Sequence, residues 1–143
     1  DYAILVLGVL HGRQDSLLSS GQIAEAAELT QATAAKVIKA LVAADLVRTQ
    51  RGIRGGCQLS RPVSRISIAE VVEAIEGPIA LTACVDGAEE HCSVQQGCFM
   101  GGNWNRVNSA LRDALLSVSL ADLFDPASLF PDPASAQQIQ TST

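Results

Sequence analysis

The residues best equipped for chemistry in this sequence are its four cysteines. Cys84, Cys92 and Cys98 share one stretch, separated by seven and five residues, while Cys57 stands alone upstream. Thiolates are soft donors, which suit iron–sulfur clusters or zinc better than hard cations. Zinc sites commonly pair their cysteines roughly two to four residues apart, and no such pair occurs here. Wider spacing on a loop with Gly and Gln leaves backbone to wrap around a bulky cluster and present thiolates from several directions. From the residues alone, three readings stay open: a metal or cluster site, reversible thiol chemistry, or small buried core residues. His91, next to Cys92, is a further local donor. A cysteine-based redox enzyme would want Cys-x-x-Cys or a thiol paired with a base. Neither pattern appears, so no catalytic residue is expected and the chain reads as a non-enzyme.

The second chemical feature is charge. The chain is acidic overall, at −5, but the charge is unevenly placed. Residues 31–65 hold Lys36, Lys39, Arg48, Arg51, Arg54, Arg61 and Arg65 against the single acid Asp45, a local +6. The remainder carries three basic and fourteen acidic residues, a local −11. Such asymmetry points to a polyanion-binding module on an acidic body. With only 3% aromatic residues, no aromatic base-stacking surface is expected, and the core must be built from Ala, Val, Ile and Leu.

The elements that must position these residues are mostly helical. An apolar run from Tyr2 to Leu10 predicts a first helix, closed at His11 and Gly12, with Gly12 as a left-handed cap and His11 as a basic helix-end residue. Ser19-Ser20-Gly21-Gln22 matches a capping box and opens a short helix through Glu28. Thr30 caps a second helix to about Ala44, in which Ala34, Val37, Ile38, Leu41 and Val42 form an amphipathic stripe. Two short helices, a tight turn and a small polar outer face make a helix-turn-helix. Leu46 to Gln50 and Cys57 to Ser60 read as strands around a glycine-rich turn, a β-wing with Arg51 and Arg54 at its tip. The glycines lack the phosphate-loop spacing, and no helix follows them directly. Cys57 occupies the returning strand and reads as structural.

Downstream, Ser67 caps a helix from Ile68 to Glu76, stopped by Gly77-Pro78. After the cysteine loop, Asn103 is expected to cap a long helix to about Ser117. Its seam of Trp104, Val107, Leu111, Ala114 and Val118 suits packing against a second copy in a homodimer. Ser119 caps a last turn, Leu120 to Phe124. The expected fold class is mainly α with a small β-wing. Residues 1–78 form a winged helix-turn-helix DNA-binding domain, 79–102 a cysteine-rich loop, 103–124 a dimerisation helix, and 125–143 a disordered tail.

On the DNA reading, Gln31 and Thr33 near the start of the recognition helix reach base edges of a double-stranded operator. Lys36 and Lys39 meet phosphates, and Arg51 or Arg54 enters the minor groove. No stretch approaches the roughly 20 apolar residues of a membrane span. No basic segment precedes the first helix, so no secretion leader is expected, and the start on Asp1 points to residues upstream. A reducing cytoplasm is the expected compartment.

The opening Asp1-Tyr2-Ala3 is followed by Arg51-Gly52-x-x-Gly55-Gly56-x-x-Leu59 and by Ile68-x-Glu70-Val71-x-x-Ala74-x-Glu76-Gly77. The three-cysteine loop completes the set. In this combination, residues 1 to about 124 resemble the IscR/NsrR family of bacterial winged-helix transcription regulators that bind iron–sulfur clusters. Gly77-Pro78-Ile79-Ala80-Leu81-Thr82-x-Cys84 and Gly102-Asn103-Trp104 are most similar to the branch that regulates SUF iron–sulfur assembly operons. The resemblance implies a homodimeric repressor holding a [2Fe-2S] or [4Fe-4S] cluster on Cys84, Cys92 and Cys98. It also implies a fourth, non-cysteine ligand. In the nitric-oxide-sensing branch this is a carboxylate at the start of the first helix, where Asp1 stands. In the IscR branch a histidine follows the third cysteine by three residues, and here that position is Gly101. Asp1 is the favoured ligand, although Asp is also an ordinary helix N-cap. The family commonly carries an aromatic residue where Cys57 stands. A nitric-oxide or redox sensor of the same fold, or a thiol- or zinc-based regulator without a cluster, is the alternative.

Overall fold

The computed structural model describes residues 2–125. Asp1 and residues 126–143, which hold most of the expected tail, lie outside the described residues. Helix α1 (Tyr2–Gly12) buries Ala3, Val6, Leu7 and Leu10, the i, i+3, i+4, i+7 set of a single face. Gly12 corrects an expectation: it stays helical rather than turning left-handed. The chain instead leaves through two turns, Arg13 N–H to the Leu10 carbonyl at 3.3 Å and Ser16 N–H to the Arg13 carbonyl at 3.1 Å.

Helix α2 (Ser20–Ala26) opens with the expected capping box. Ser19 Oγ accepts from Gln22 N–H at 3.1 Å, and Gln22 Oε1 accepts from Ser19 N–H at 2.9 Å. It ends earlier than Glu28, because Glu28 takes a left-handed φ of 56° and Leu29 N–H reaches back to the Ala24 carbonyl at 2.9 Å. Thr30 then caps α3 (Gln31–Ala43), which buries Ala34, Val37, Ile38 and Leu41. Val42, expected on the same stripe, stays exposed at its edge.

Strands β1 (Val47–Gln50) and β2 (Gly56–Leu59) pair antiparallel from Val47↔Leu59 to Gln50↔Gly56. Leu18 joins the hairpin base through Cys57: Cys57 N–H donates to the Leu18 carbonyl at 2.7 Å and Leu18 N–H returns at 3.0 Å. This close approach explains Gly56, and the tight turn before it explains Gly55. A Cβ on Gly56 would stand 2.7 Å from the Leu18 oxygen, and one on Gly55 would stand 2.1 Å from the Gln50 oxygen.

Helix α4 (Ile68–Glu76) opens on a Ser67–Glu70 capping box and closes at Gly77, whose φ is 83°. Helix α5 (Asn103–Ser117) corrects a second expectation. Asn103 is its first residue, and the position before it is Gly102 at φ 84°, with no side-chain cap. Helix α6 (Leu120–Phe124), capped by Ser119, folds back onto the first helices. Leu120 is fully buried and its N–H meets the Ile66 carbonyl at 2.7 Å, while Ile68 N–H meets Val118 at 2.9 Å. The Phe124 ring stacks on His11 with centroids 5.5 Å apart. The apolar core is one cluster drawn from α1, α2, α3, the wing base, α4 and Leu120.

Candidate DNA-binding face and thiol site

The outer face of α3 carries the side chains read as DNA contacts. Gln31, Lys36 and Lys39 are exposed, and neither lysine has a charged partner among the described residues. The Gln31 amide lies over the start of α2, where a Cβ on Gly21 would come within 2.9 Å of its Nε2. Thr33 is half-buried and serves the cap: Thr30 Oγ1 accepts from its N–H at 3.2 Å and donates to its Oγ1 at 2.8 Å. At the wing tip Arg51 and Arg54 are exposed, with Ile53 between them touching almost nothing.

Two members of the basic segment are not free for a partner. With its amide oxygen facing Arg48, Gln58 accepts from Arg48 Nε at 2.9 Å and Nη2 at 3.1 Å. Arg61 turns inward as a clamp. Its Nε donates to the Arg65 carbonyl at 3.0 Å, Nη1 to the Asp45 carbonyl at 3.1 Å, and Nη2 to Glu70. It thereby ties the turn after α3, where Asp45 has a φ of 58°, to the start of α4. Burial pushes the Glu70 carboxyl up, but bonds from Ser67 and the Arg61 guanidinium outweigh it and hold the group below its ordinary value. Sequence reasoning missed this role because the partners of Arg61 lie 4, 9 and 16 positions away, outside any periodic pattern.

The second site is the loop between α4 and α5. Cys84, Cys92 and Cys98 are all free thiols and all half-buried. Thr82 Oγ1 stands 3.0 Å from Cys84 Sγ. Among the described residues, no three His, Cys, Asp or Glu side chains stand close enough to share a metal ion. The loop therefore supplies three unpaired soft donors of the type a cluster needs, without gathering them. Among the described residues, every hydrogen bond made by residues 88–101 ends within three positions of its start, so bringing Cys92 and Cys98 toward Cys84 breaks no distant hydrogen bond. Asp1 lies outside the described residues. His91 is exposed. Cys57 is of another kind: it is buried beside Leu18 at the wing base, and burial pushes its thiol up, which keeps it protonated and unreactive.

Helix α5 holds the front of this loop. Asn108 is buried, accepts from Leu81 N–H at 2.9 Å and donates to the Ile79 carbonyl at 2.8 Å. Asn105 accepts from Asp86 N–H at 2.8 Å, and its Nδ2 donates to Asp86 Oδ2 at 3.0 Å. Arg112 Nε meets Glu73 Oε1 at 3.0 Å, joining α5 to α4. The apolar seam faces elsewhere: Val107 and Leu111 are 49% and 36% exposed while Trp104 and Val118 are half-buried, so the described residues leave the middle of the strip uncovered.

The profile of the Rrf2 family, described as an iron-dependent transcriptional regulator, matches residues 1–126. The chain belongs to the Rrf2 family. A relative from Oceanobacillus iheyensis, the HTH-type transcriptional regulator NsrR, is 32% identical over 124 residues, 86% of this chain and 84% of the relative. The solved structure of CymR, the global cysteine regulator of B. subtilis, aligns at a TM-score of 0.61 and 23% identity over 92% of this chain and 93% of CymR. IscR of T. potens aligns at 0.59 and 22% identity over 99% of this chain and 88% of IscR. These two show the shared winged-helix fold. As a member of the Rrf2 family, the chain is a DNA-binding transcriptional regulator, in agreement with the resemblance carried by its motifs. No helix among the described residues is long and apolar enough to cross a membrane.

Proposed function

We propose that this Rrf2 protein is a homodimeric repressor that reads iron–sulfur cluster status through Cys84, Cys92 and Cys98 and controls iron–sulfur assembly genes. The observation that carries this reading is the set of three free, half-buried thiols on the loop that leads directly into α5. Asp1 supplies the fourth ligand from the second subunit, a carboxylate more easily exchanged than a thiolate. When bound, an iron–sulfur cluster supplies redox-active iron with one exchangeable position. The protein supplies the rest. The seam of Trp104, Val107, Leu111, Ala114 and Val118 pairs with its copy across a two-fold axis. Two α3 helices then read half-sites about 34–36 Å apart, one turn of DNA. Gln31 and Thr33 meet base edges, Lys36 and Lys39 phosphates, and Arg51 or Arg54 the adjacent minor groove. The thiol loop and α5 are contiguous, so a change at the loop biases the spacing of the two α3 helices, a coupling of about 1–3 kcal/mol.

Purification under anaerobic, reducing conditions, followed by visible absorption and iron, sulfide and zinc analysis, tests this. A brown protein with iron and acid-labile sulfide supports the cluster. A colourless zinc protein, or a metal-free one whose operator affinity changes on reversible thiol oxidation, overturns it. That last outcome is the second reading, a thiol-based regulator, which three free, half-buried thiols would also serve.

A further inference from the structure

The three thiols of the loop are not held alike. Cys84 is bracketed by the two attachments to α5: Leu81 bonds to Asn108 on one side and Asp86 to Asn105 on the other. Between them Thr82 stands against the Cys84 sulfur at 3.0 Å, and Val85 is 5% exposed. Asn105, Asn108 and Arg112 occupy i, i+3 and i+7 of one helix, so a single face of α5 grips the loop twice and α4 once. Asn108 is the one buried polar residue among those described, and both ends of its amide are satisfied by loop backbone. An apolar residue there would strand the Leu81 N–H and the Ile79 carbonyl. A buried polar group left unpaired is costly, so this amide specifies where the loop starts. Among the described residues, Cys92 and Cys98 have no counterpart to these attachments, since the hydrogen bonds of their segment are all local.

We propose that Asn105 and Asn108 are positioning residues that set Cys84 as the fixed thiol of the loop and pass a change at that sulfur to α5. The inference rests on reading the loop as the part of the protein that receives the signal. Cys92 and Cys98 are the thiols that move toward a ligand. Cys84 stays on the helix. Whatever displaces the Cys84 sulfur pulls on the backbone of Leu81 and Asp86, and each pull meets a side chain of α5 within one hydrogen bond.

The test uses the full chain, reduced and metal-free, with N-ethylmaleimide as the probe. Alkylation of each thiol is followed by mass spectrometry. In the wild type Cys84 reacts more slowly than Cys92 and Cys98. Asn108→Ala and, separately, Asn105→Ala accelerate Cys84 about tenfold, the scale of one hydrogen bond lost, while Cys92, Cys98 and buried Cys57 keep their rates. An unchanged Cys84 rate in both variants overturns the proposal. So does acceleration of Cys57 alongside Cys84, which would report loosened folding instead of a local latch. The second arm uses a Cys92→Ser, Cys98→Ser chain alkylated at Cys84, in which hydrogen exchange rises across residues 105–112. With Asn108→Ala added, the adduct no longer changes exchange there; an adduct silent in α5 even with both asparagines present refutes the link. A protein that proves to hold zinc or no metal sinks the cluster reading but leaves these rates as they are.

Discussion

Cys57 and Cys84 are both free thiols in the same small protein, yet different physics surrounds them. Around Cys57 the positions are set several times over. The hairpin register, the bridge to Leu18, the glycine Gly56 that permits it and the apolar cluster beneath all demand the same geometry. Around Cys84 the helix offers two asparagine side chains, and from Ala88 to Gly101 the hydrogen bonds among the described residues are all local. A region set by burial has no use for a ligand. On the proposed cluster reading, a region with polar anchors at one end and three free thiols leaves its geometry for a ligand to complete.

The sharpest way to break this contrast is to delete the thiols one at a time. Cys84→Ala, Cys92→Ala and Cys98→Ala each lose essentially all bound iron and sulfide after anaerobic reconstitution. Cys57→Ala keeps the cluster and gives up only about 1 kcal/mol of stability. Cluster loss in the Cys57 variant with retention in the Cys84 variant would reverse the assignment of roles. The next effect concerns α5. Leu111→Asp yields a folded monomer by sedimentation velocity, with operator binding weakened by about 3 kcal/mol or more, because the new charge is unpaired and buried only in the dimer. A variant still dimeric at micromolar concentration would move the interface elsewhere.

Within the burial-determined region, Arg61→Ala costs about 1–3 kcal/mol in chemical denaturation, since three acceptors lose a charged donor at a partly solvated site. The loss depends on pH with a definite sign. Glu70 is held below its ordinary value, so its contribution is present above the unfolded value and fades as pH falls through the lowered native one. The difference between wild type and Arg61→Ala therefore shrinks toward acid; a gap constant across that range would mean that Glu70 is not the partner that matters. The smallest effect lies on the exposed face. Lys36→Ala or Lys39→Ala weakens binding to all duplex sequences and shallows the salt dependence by up to about one unit in log–log slope. A slope identical to wild type in both would remove them from the phosphate-contacting set.

The legible part of this molecule was the part governed by local rules. Ser19, Thr30, Ser67 and Ser119 all cap as their neighbours predicted, because a hydroxyl three residues before a suitable partner is a short-range pattern. The α3 stripe was legible for the same reason, apart from Val42 at its edge. Gly12 and Asn103 misled because glycine and asparagine are permitted at helix ends without being required there. The turn out of α1 needed no left-handed residue, and Gly102 took the entry to α5. Arg61, Asn105 and Asn108 were illegible as structural residues. Arg61 reads as one more member of the basic segment, and no motif or spacing singles out the asparagines. Asn108 finds partners 27 and 29 positions away, a separation at which no sequence window carries a signal.

The wing shows what its two glycines make possible for redesign. Gly56 seats the hairpin base against Leu18, at the doorstep of α2, so the wing and the helix-turn-helix are a single rigid tool. Ile53, at the far end, touches almost nothing. Handle and bit are thus separable: around Gly52, whose φ of 118° keeps the turn, the side chains at 51, 53 and 54 can be exchanged like an interchangeable tip, altering what the hairpin presents without altering where it stands.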